Sequence, residues 1–447
     1  MLRTTRVAIA LVCATGASSL ANPASSVPSA LSPGIGESIH LDIDYEYDLD
    51  DARITREQVG DPQADPLAPL PVHRELDYHH TRHLLTPRLE LGVYHDVWLS
   101  IAVPIVLSDT RELDVPAGID RTTLSTFRDG ILTNTGFDAG DPTTPPSGAI
   151  AFRGVTRSGI GELRGGIGVA PMNQARDATK PTWKLGVELR AAIGRVMRFD
   201  AVNPGQETGV STGVHELRLW TSMDRRFRYF EGWFEAYYQR PIYTRATSLF
   251  QDPGFGSANI DPAQTAGASF GLEAYVASDP ATGNEVSVDL GARLDAHFEG
   301  RGYSEMWEVF ALAGDHRIAG PLALDADPTT PGQQELSHPG ISNLENYLET
   351  AARIAVRGTL GAHVSFAALG ELIWKTDHVI SFADAGIDLP TCPTGTPRCE
   401  TADNDQVNPG TAEVNPLHQP RIDLVGHRYH SEHNRGYVLG VQAALRF

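Results

Sequence analysis

Apolar and polar residues alternate one for one along most of this chain, beginning at residue 38. Ile39, Leu41, Ile43, Tyr45, Tyr47 and Leu49 are interleaved with His40, Asp42, Asp44, Glu46, Asp48 and Asp50. Successive side chains of a strand point to opposite faces, so this segment has one greasy face and one charged face. The same period recurs at 78 to 94, 97 to 107, 159 to 173, 182 to 195, 213 to 227, 231 to 243, 266 to 278, 284 to 301, 346 to 360, 364 to 384 and 437 to 447. The pattern therefore predicts about twelve strands. They come in pairs: only His95-Asp96 separates the second from the third, the spacing of a tight hairpin.

The connections alternate in length. Short ones fall at 95 to 96, 174 to 181, 228 to 230, 279 to 283 and 361 to 363; long ones fall at 58 to 77, 114 to 158, 196 to 212, 244 to 265, 302 to 345 and 385 to 431. Pro and Gly collect in the long ones, as in Asp141-Pro-Thr-Thr-Pro-Pro146 and Asp327-Pro-Thr-Thr-Pro331, so these read as loops rather than hidden strands. An even strand number with strict long and short alternation predicts an all-β, up-and-down antiparallel barrel.

Residues 1 to 21 read as a cleaved secretory signal: Arg3 and Arg6 precede an uncharged run from Val7 to Ala17, and Ser19-Leu20-Ala21 offers small residues for cleavage. That run is too short to span a bilayer, which takes ~20 helical residues. No later apolar run reaches that length either. In a membrane such a chain must close into a barrel, because an open edge leaves backbone groups unpaired in lipid. Residues 22 to 36 are then a short flexible leader, too small for a plug, and residues 37 to 447 the barrel.

The last eleven residues place Tyr437, Leu439, Val441, Leu445 and the terminal Phe447 on one face, with Gln442 and Arg446 on the other. Alone, they would also suit an edge strand of a soluble sheet. With the export signal and the twelve segments beside them, they resemble the carboxy-terminal strand of bacterial outer-membrane β-barrel proteins, a broad, porin- and transporter-like class. The resemblance covers one strand closely and the rest as a pattern. It implies a transmembrane barrel in the Gram-negative outer membrane, with both termini and the short turns periplasmic and the long loops outside. It also implies outer-membrane lipid around the wall and recognition of the terminal strand by barrel-assembly machinery.

A formal net charge of -20 argues against a nucleic-acid partner, which requires a basic footprint. The polar faces supply the lumen candidates: Asp42, Asp44, Glu46 and Asp48 on the first strand, Arg82 and Arg88 beside them, then Glu188, Arg190, Arg218, Asp289, Arg293, Arg353, Arg357, Glu371, Lys375 and Arg446. Such charges can set a transverse field that orients a polar solute. They can equally pair across strands and simply fill a medium-sized barrel. Cys392 and Cys399, close together on a Pro/Gly-rich loop of an exported chain, are expected to form a disulfide.

Histidines cluster at His73, His79, His80 and His83 and again at His427, His430 and His433, on strands that would flank the first. A spacing of three does not hold one face of a strand, so a solvated rim is preferred to a metal site. The stretch His430-Ser431-Glu432-His433-Asn434 faintly resembles the His-x-Ser-Asn-Gly stretch of outer-membrane phospholipases. Ser431 directly follows His430, however, and a strand turns adjacent residues to opposite faces, whereas a nucleophile needs its base within reach. The expectation is a protein without enzyme activity, cofactor or metal: a channel or transport protein for small polar or amphipathic solutes of unidentified kind. A surface receptor or adhesion barrel working through its long loops is the alternative.

Overall fold

The computed structural model describes residues 27–28, 39–58, 70–251, 261–279, 281–325, 335–361, 363–383 and 417–447. The expected signal peptide, Cys392 and Cys399 lie outside them, as does all of the leader except Val27 and Pro28.

The alternating segments form a ring of twelve antiparallel strands. They are β1 (Ile39–Glu57), β2 (Val72–Tyr94), β3 (Val97–Ala102 continued by Ile105–Asp114), β4 (Arg157–Ile160 continued by Leu163–Met172), β5 (Thr182–Ala191) and β6 (Val214–Phe227). The second half comprises β7 (Phe230–Thr244), β8 (Thr265–Asp279), β9 (Asn284–His297), β10 (Tyr347–Leu360), β11 (Val364–Lys375) and β12 (Tyr429–Arg446). Each pairs with its predecessor, and β12 returns to β1 in a register running from His40↔Arg446 to Arg56↔Tyr429. Ile39 and Phe447 exchange backbone hydrogen bonds of 2.8 and 2.9 Å, which seals the seam. The wall has no open edge, the condition for strands to stand in lipid.

The greasy face looks outward. Ile43, Ile101, Leu189, Leu272, Ile354, Phe366, Leu439 and Val441 are exposed, whereas Asp42, Asp44, Glu46, Asp48, Glu188 and Glu371 are buried. Leu290 is 57% exposed beside Asp289 at 2%. Leaving so continuous an apolar belt in water would forfeit about 25 cal/mol per Å² of hydrophobic stabilisation, so hydrocarbon is the solvent this surface fits.

Several boundaries differ from the periodic reading. β2 starts at Val72 and β12 at Tyr429, because both run on past the belt into the region of the long loops. The third wall strand is interrupted at Val103-Pro104, where proline supplies no N–H for the ladder. The fourth breaks at the facing Gly161-Glu162, and Gly161 N–H donates to the Pro104 carbonyl at 2.9 Å. The segment expected at 364 to 384 ends at Lys375 and resumes as His378–Ser381, still paired to β12. The segment expected at 284 to 301 stops at His297, and Gly300–Gly302 pairs instead with Ser342–Leu344.

The long connections also hold more regular structure than their prolines and glycines suggest. The 114 to 158 connection carries Ile150–Arg153, which extends the sheet beside β3, and the 302 to 345 connection carries a helix, Trp307–Ala313. All seven residues of that helix are buried. Its Val309 and Phe310 join Ile54, Leu76 and Leu113 from the strand ends, Phe127 and Phe152 from the 114 to 158 connection, and Phe382, Ile422 and Tyr429 in one apolar core. The loop end of the barrel is therefore stoppered by a dry, folded cap.

Candidate functional site

Every charged candidate lies on an inward position, and most are neutralised by a neighbour on the same wall. Arg82 pairs with Asp48 at 2.6 Å and Arg446 with Asp42 at 2.8 Å. Arg190 meets Glu188 at 3.0 Å, Arg353 meets Asp289 at 3.2 Å, and Arg218 meets Glu235 at 2.8 Å. Arg357 reaches Glu273 at 2.6 Å, and Arg293 sits between Glu349 at 2.7 Å and Glu371 at 2.8 Å, with Lys375 3.6 Å from Glu349. Gln442 donates to Asp44 at 2.7 Å. Arg88 is 3.9 Å from Glu90, and Glu46 is buried on β1. The lumen is tiled by lateral pairs rather than divided into an acidic wall and a basic one. Such pairs hold register while adding little net stability, since desolvation offsets the attraction.

Between this lining and the cap lies a chamber of about 260 Å³. Its walls combine Leu84, Pro104, Val106, Met197, Val214 and Phe250 with Arg82, Arg111, Arg164, Arg190, Glu162 and Glu216, and Tyr303 and Ser304 form part of its roof. The roof is anchored by charge. Arg157 of β4 forms a buried ion pair with Glu308 of the cap helix and donates to the carbonyls of Glu207 at 2.8 Å and Arg198 at 2.9 Å. Its guanidinium also lies 4.9 Å from the Trp307 ring, and that of Arg111 lies 5.7 Å away. On the far side Arg56 binds Asp129 at 2.7 Å. Burial sets the ionisation of the cap: it drives the His338 imidazole down to about 3, lowers the Arg301 guanidinium to about 10, and raises the Asp423 carboxyl to about 6.

The alternation did not reveal Arg157, Glu308, Arg111 or Arg164 as site residues. One signal was present in the run Met306-Trp-Glu-Val-Phe-Ala-Leu-Ala313, where a single acid stands in an otherwise apolar stretch. A buried acid needs a buried cation, and Arg157 is that cation.

The two histidine groups do flank β1, with His79 opposite Asp51 and His430 opposite Thr55. They go to different acids. His79 bonds to Asp51, His80 is 3.3 Å from Asp109, and His430 is 3.2 Å from Glu57, while His83 meets the Tyr45 hydroxyl at 2.8 Å. Ser431 donates to the Asn434 side chain at 2.9 Å, so its hydroxyl is directed to an amide and not to an imidazole. At the short-turn end, Val27 of the leader is buried with Trp98 and Ala170, and Trp220 packs against them. Of the expected flexible leader only Val27 and Pro28 are described; both are buried, and the indoles inside the wall offer Val27 an apolar seat.

The chain matches no protein-family model and no curated protein. Among solved structures it is similar to the COG4313 outer membrane channel from Pseudomonas putida F1, with 10% identity, a TM-score of 0.39, and coverage of 93% of this chain and 100% of that one. It is also similar to a Pseudomonas aeruginosa FadL homologue (9% identity, TM-score 0.32, covering 92% and 91%) and to the outer membrane protease OmpT from Escherichia coli (7% identity, TM-score 0.27, covering 95% and 98%). All three are bacterial outer-membrane β-barrel proteins.

Proposed function

We propose that this chain stands in the bacterial outer membrane and passes small polar or amphipathic solutes through its lumen. The observation that carries this reading is the chamber itself: a partly open space with apolar and ionic walls, inside a ring whose outer belt suits lipid. In this reading the short turns and both chain ends face the periplasm, and the terminal strand from Tyr437 to Phe447 is what the assembly machinery reads. No chemistry is assigned to the lumen, and Ser431 is a structural residue.

Planar-bilayer recording tests the reading. Steady conductance from the purified full chain supports it. Silent bilayers containing folded protein would favour the second reading, a surface scaffold, which draws on the apolar cap that closes the loop end. The non-enzymatic assignment fails if phospholipid is hydrolysed by the wild type and not by Ser431→Ala.

A further inference from the structure

We propose that the chamber is a site for a small organic monoanion, whose carboxylate is held by Arg164 and whose apolar body lies on Leu84, Pro104, Val106 and Met197. This rests on the transport reading and deepens it by naming the class of solute.

Arg164 differs from the other arginines that line the lumen. It is only 8% exposed, its Nε is buried with no hydrogen-bond partner, and among the described residues it forms no ion pair. None of the carboxylates around it bonds to it, and most are held by other groups. Glu188 binds Arg190, and Glu162, two residues along the same strand, accepts from Ser211 Oγ at 3.1 Å and Thr212 N–H at 3.0 Å. Glu216 accepts from Gln239 at 2.8 Å, and Glu46 acts on Arg164 only from beyond ion-pair distance. A buried guanidinium that no carboxylate bonds directly is costly, so its place in a chamber points to a visiting anion.

The strand register shows how a head group would be received. Arg88, Ala102, Arg164 and Arg190 are successive partners across β2, β3, β4 and β5. Two arginines therefore flank the small Ala102 side chain, with a third beside Arg164. Guanidinium forks match carboxylate oxygens in spacing and plane.

The register also shows where the body would go. Moving from Ala102 toward the cap, the next inward residues of the third wall strand are Pro104 and Val106, and Val106 faces Leu84. Met197 closes this shelf from above, 3.4 Å from Arg111. Of this row Arg164 and Arg190 line the chamber, together with the apolar shelf. A cationic solute is repelled by the row, and a neutral one leaves Arg164 uncompensated.

Isothermal titration of the detergent-solubilised full chain with hexanoate, hexanamide and hexylammonium tests this. Hexanoate is expected to bind at least tenfold more tightly than hexanamide, and hexylammonium not at all. Arg164→Gln should lose that tenfold preference, while Arg164→Lys retains part of it. Arg164→Gln should also melt no lower than wild type, because it removes an uncompensated buried charge; a purely structural arginine would give a lower melting point. Equal binding of hexanoate and hexanamide by the wild type overturns the proposal whatever the variants do, as does unchanged binding in folded Arg164→Gln. A conducting barrel without the preference leaves the transport reading standing and removes this one. Hexanoate binding with silent bilayers does the reverse.

Discussion

Arg157 on the fourth wall strand and Glu308 on the cap helix meet in an ion pair whose side chains are 1% and 3% exposed, so the plug is tied to the wall through a contact that water does not reach. Removing one partner strands the other. Glu308→Ala should destabilise the capped state by about 3 to 5 kcal/mol, the usual cost of an orphaned buried charge. Limited proteolysis would show cleavage within 302 to 325 in the variant and not in the wild type, while the barrel stays heat-modifiable on gels. Equal cleavage would mean that the pair does not hold the cap.

Trp98 and Trp220 lie over glycines of the neighbouring strands. A Cβ at Gly168 would come 2.2 Å from the Trp98 ring, and one at Gly186 would come 2.3 Å from Trp220. Gly168→Ala is therefore expected to destabilise the barrel by about 1 to 3 kcal/mol through overpacking. Urea titration in lipid vesicles would measure it. The seat of Val27 should loosen at the same time, seen as a shifted indole emission.

Leu290 and Asp289 are adjacent in sequence and opposite in environment. Leu290→Arg should weaken insertion by about 2 to 4 kcal/mol if that residue stands near the middle of the bilayer. Asp289→Asn leaves the belt untouched and should affect only the lumen contacts with Arg353 and with the Trp233 indole N–H. Folding yields in vesicles that fall equally for both substitutions would contradict the orientation of the wall.

His338 should make the cap sensitive to acid. It is buried and neutral, accepts from the Gly340 N–H at 3.0 Å, and holds its proton only below about 3. An opened cap returns it to the ordinary range near 6.5. The stability it contributes is complete above about 6.5 and is lost as pH falls toward 3. Asp423 acts in the opposite sense, since burial raises its carboxyl to about 6 and the closed cap then binds that proton more tightly as pH falls below this value. His338→Asn keeps an acceptor for Gly340 and removes only the first effect. Hydrogen exchange across 306 to 313 should accelerate more steeply with acid in the wild type than in the variant; parallel profiles would rule the histidine out.

The wall was legible because a strand in this setting separates two solvents, and each residue must declare which one it faces. Ile43 and Asp44 need only their own chemistry to be placed. The cap follows another rule. Val309, Phe310, Phe127 and Ile422 come from connections far apart in sequence and solvate one another, so no period within any one connection announces them. Arg164 was missed for a related reason. The alternation sets Arg164 on the polar face against Leu163, Ile167 and Val169, but the absence of a bonded carboxylate can be seen only when the neighbouring strands are in place.

The bond exchange between Ile39 and Phe447 has a consequence for how the molecule is made. The first of the twelve wall strands has to wait for the last before its second neighbour exists. Until then one side of a nineteen-residue strand stays unsatisfied and ready to pair with whatever it meets. Maturation of the barrel should be timed by the arrival of its final strand rather than by the formation of any single hairpin.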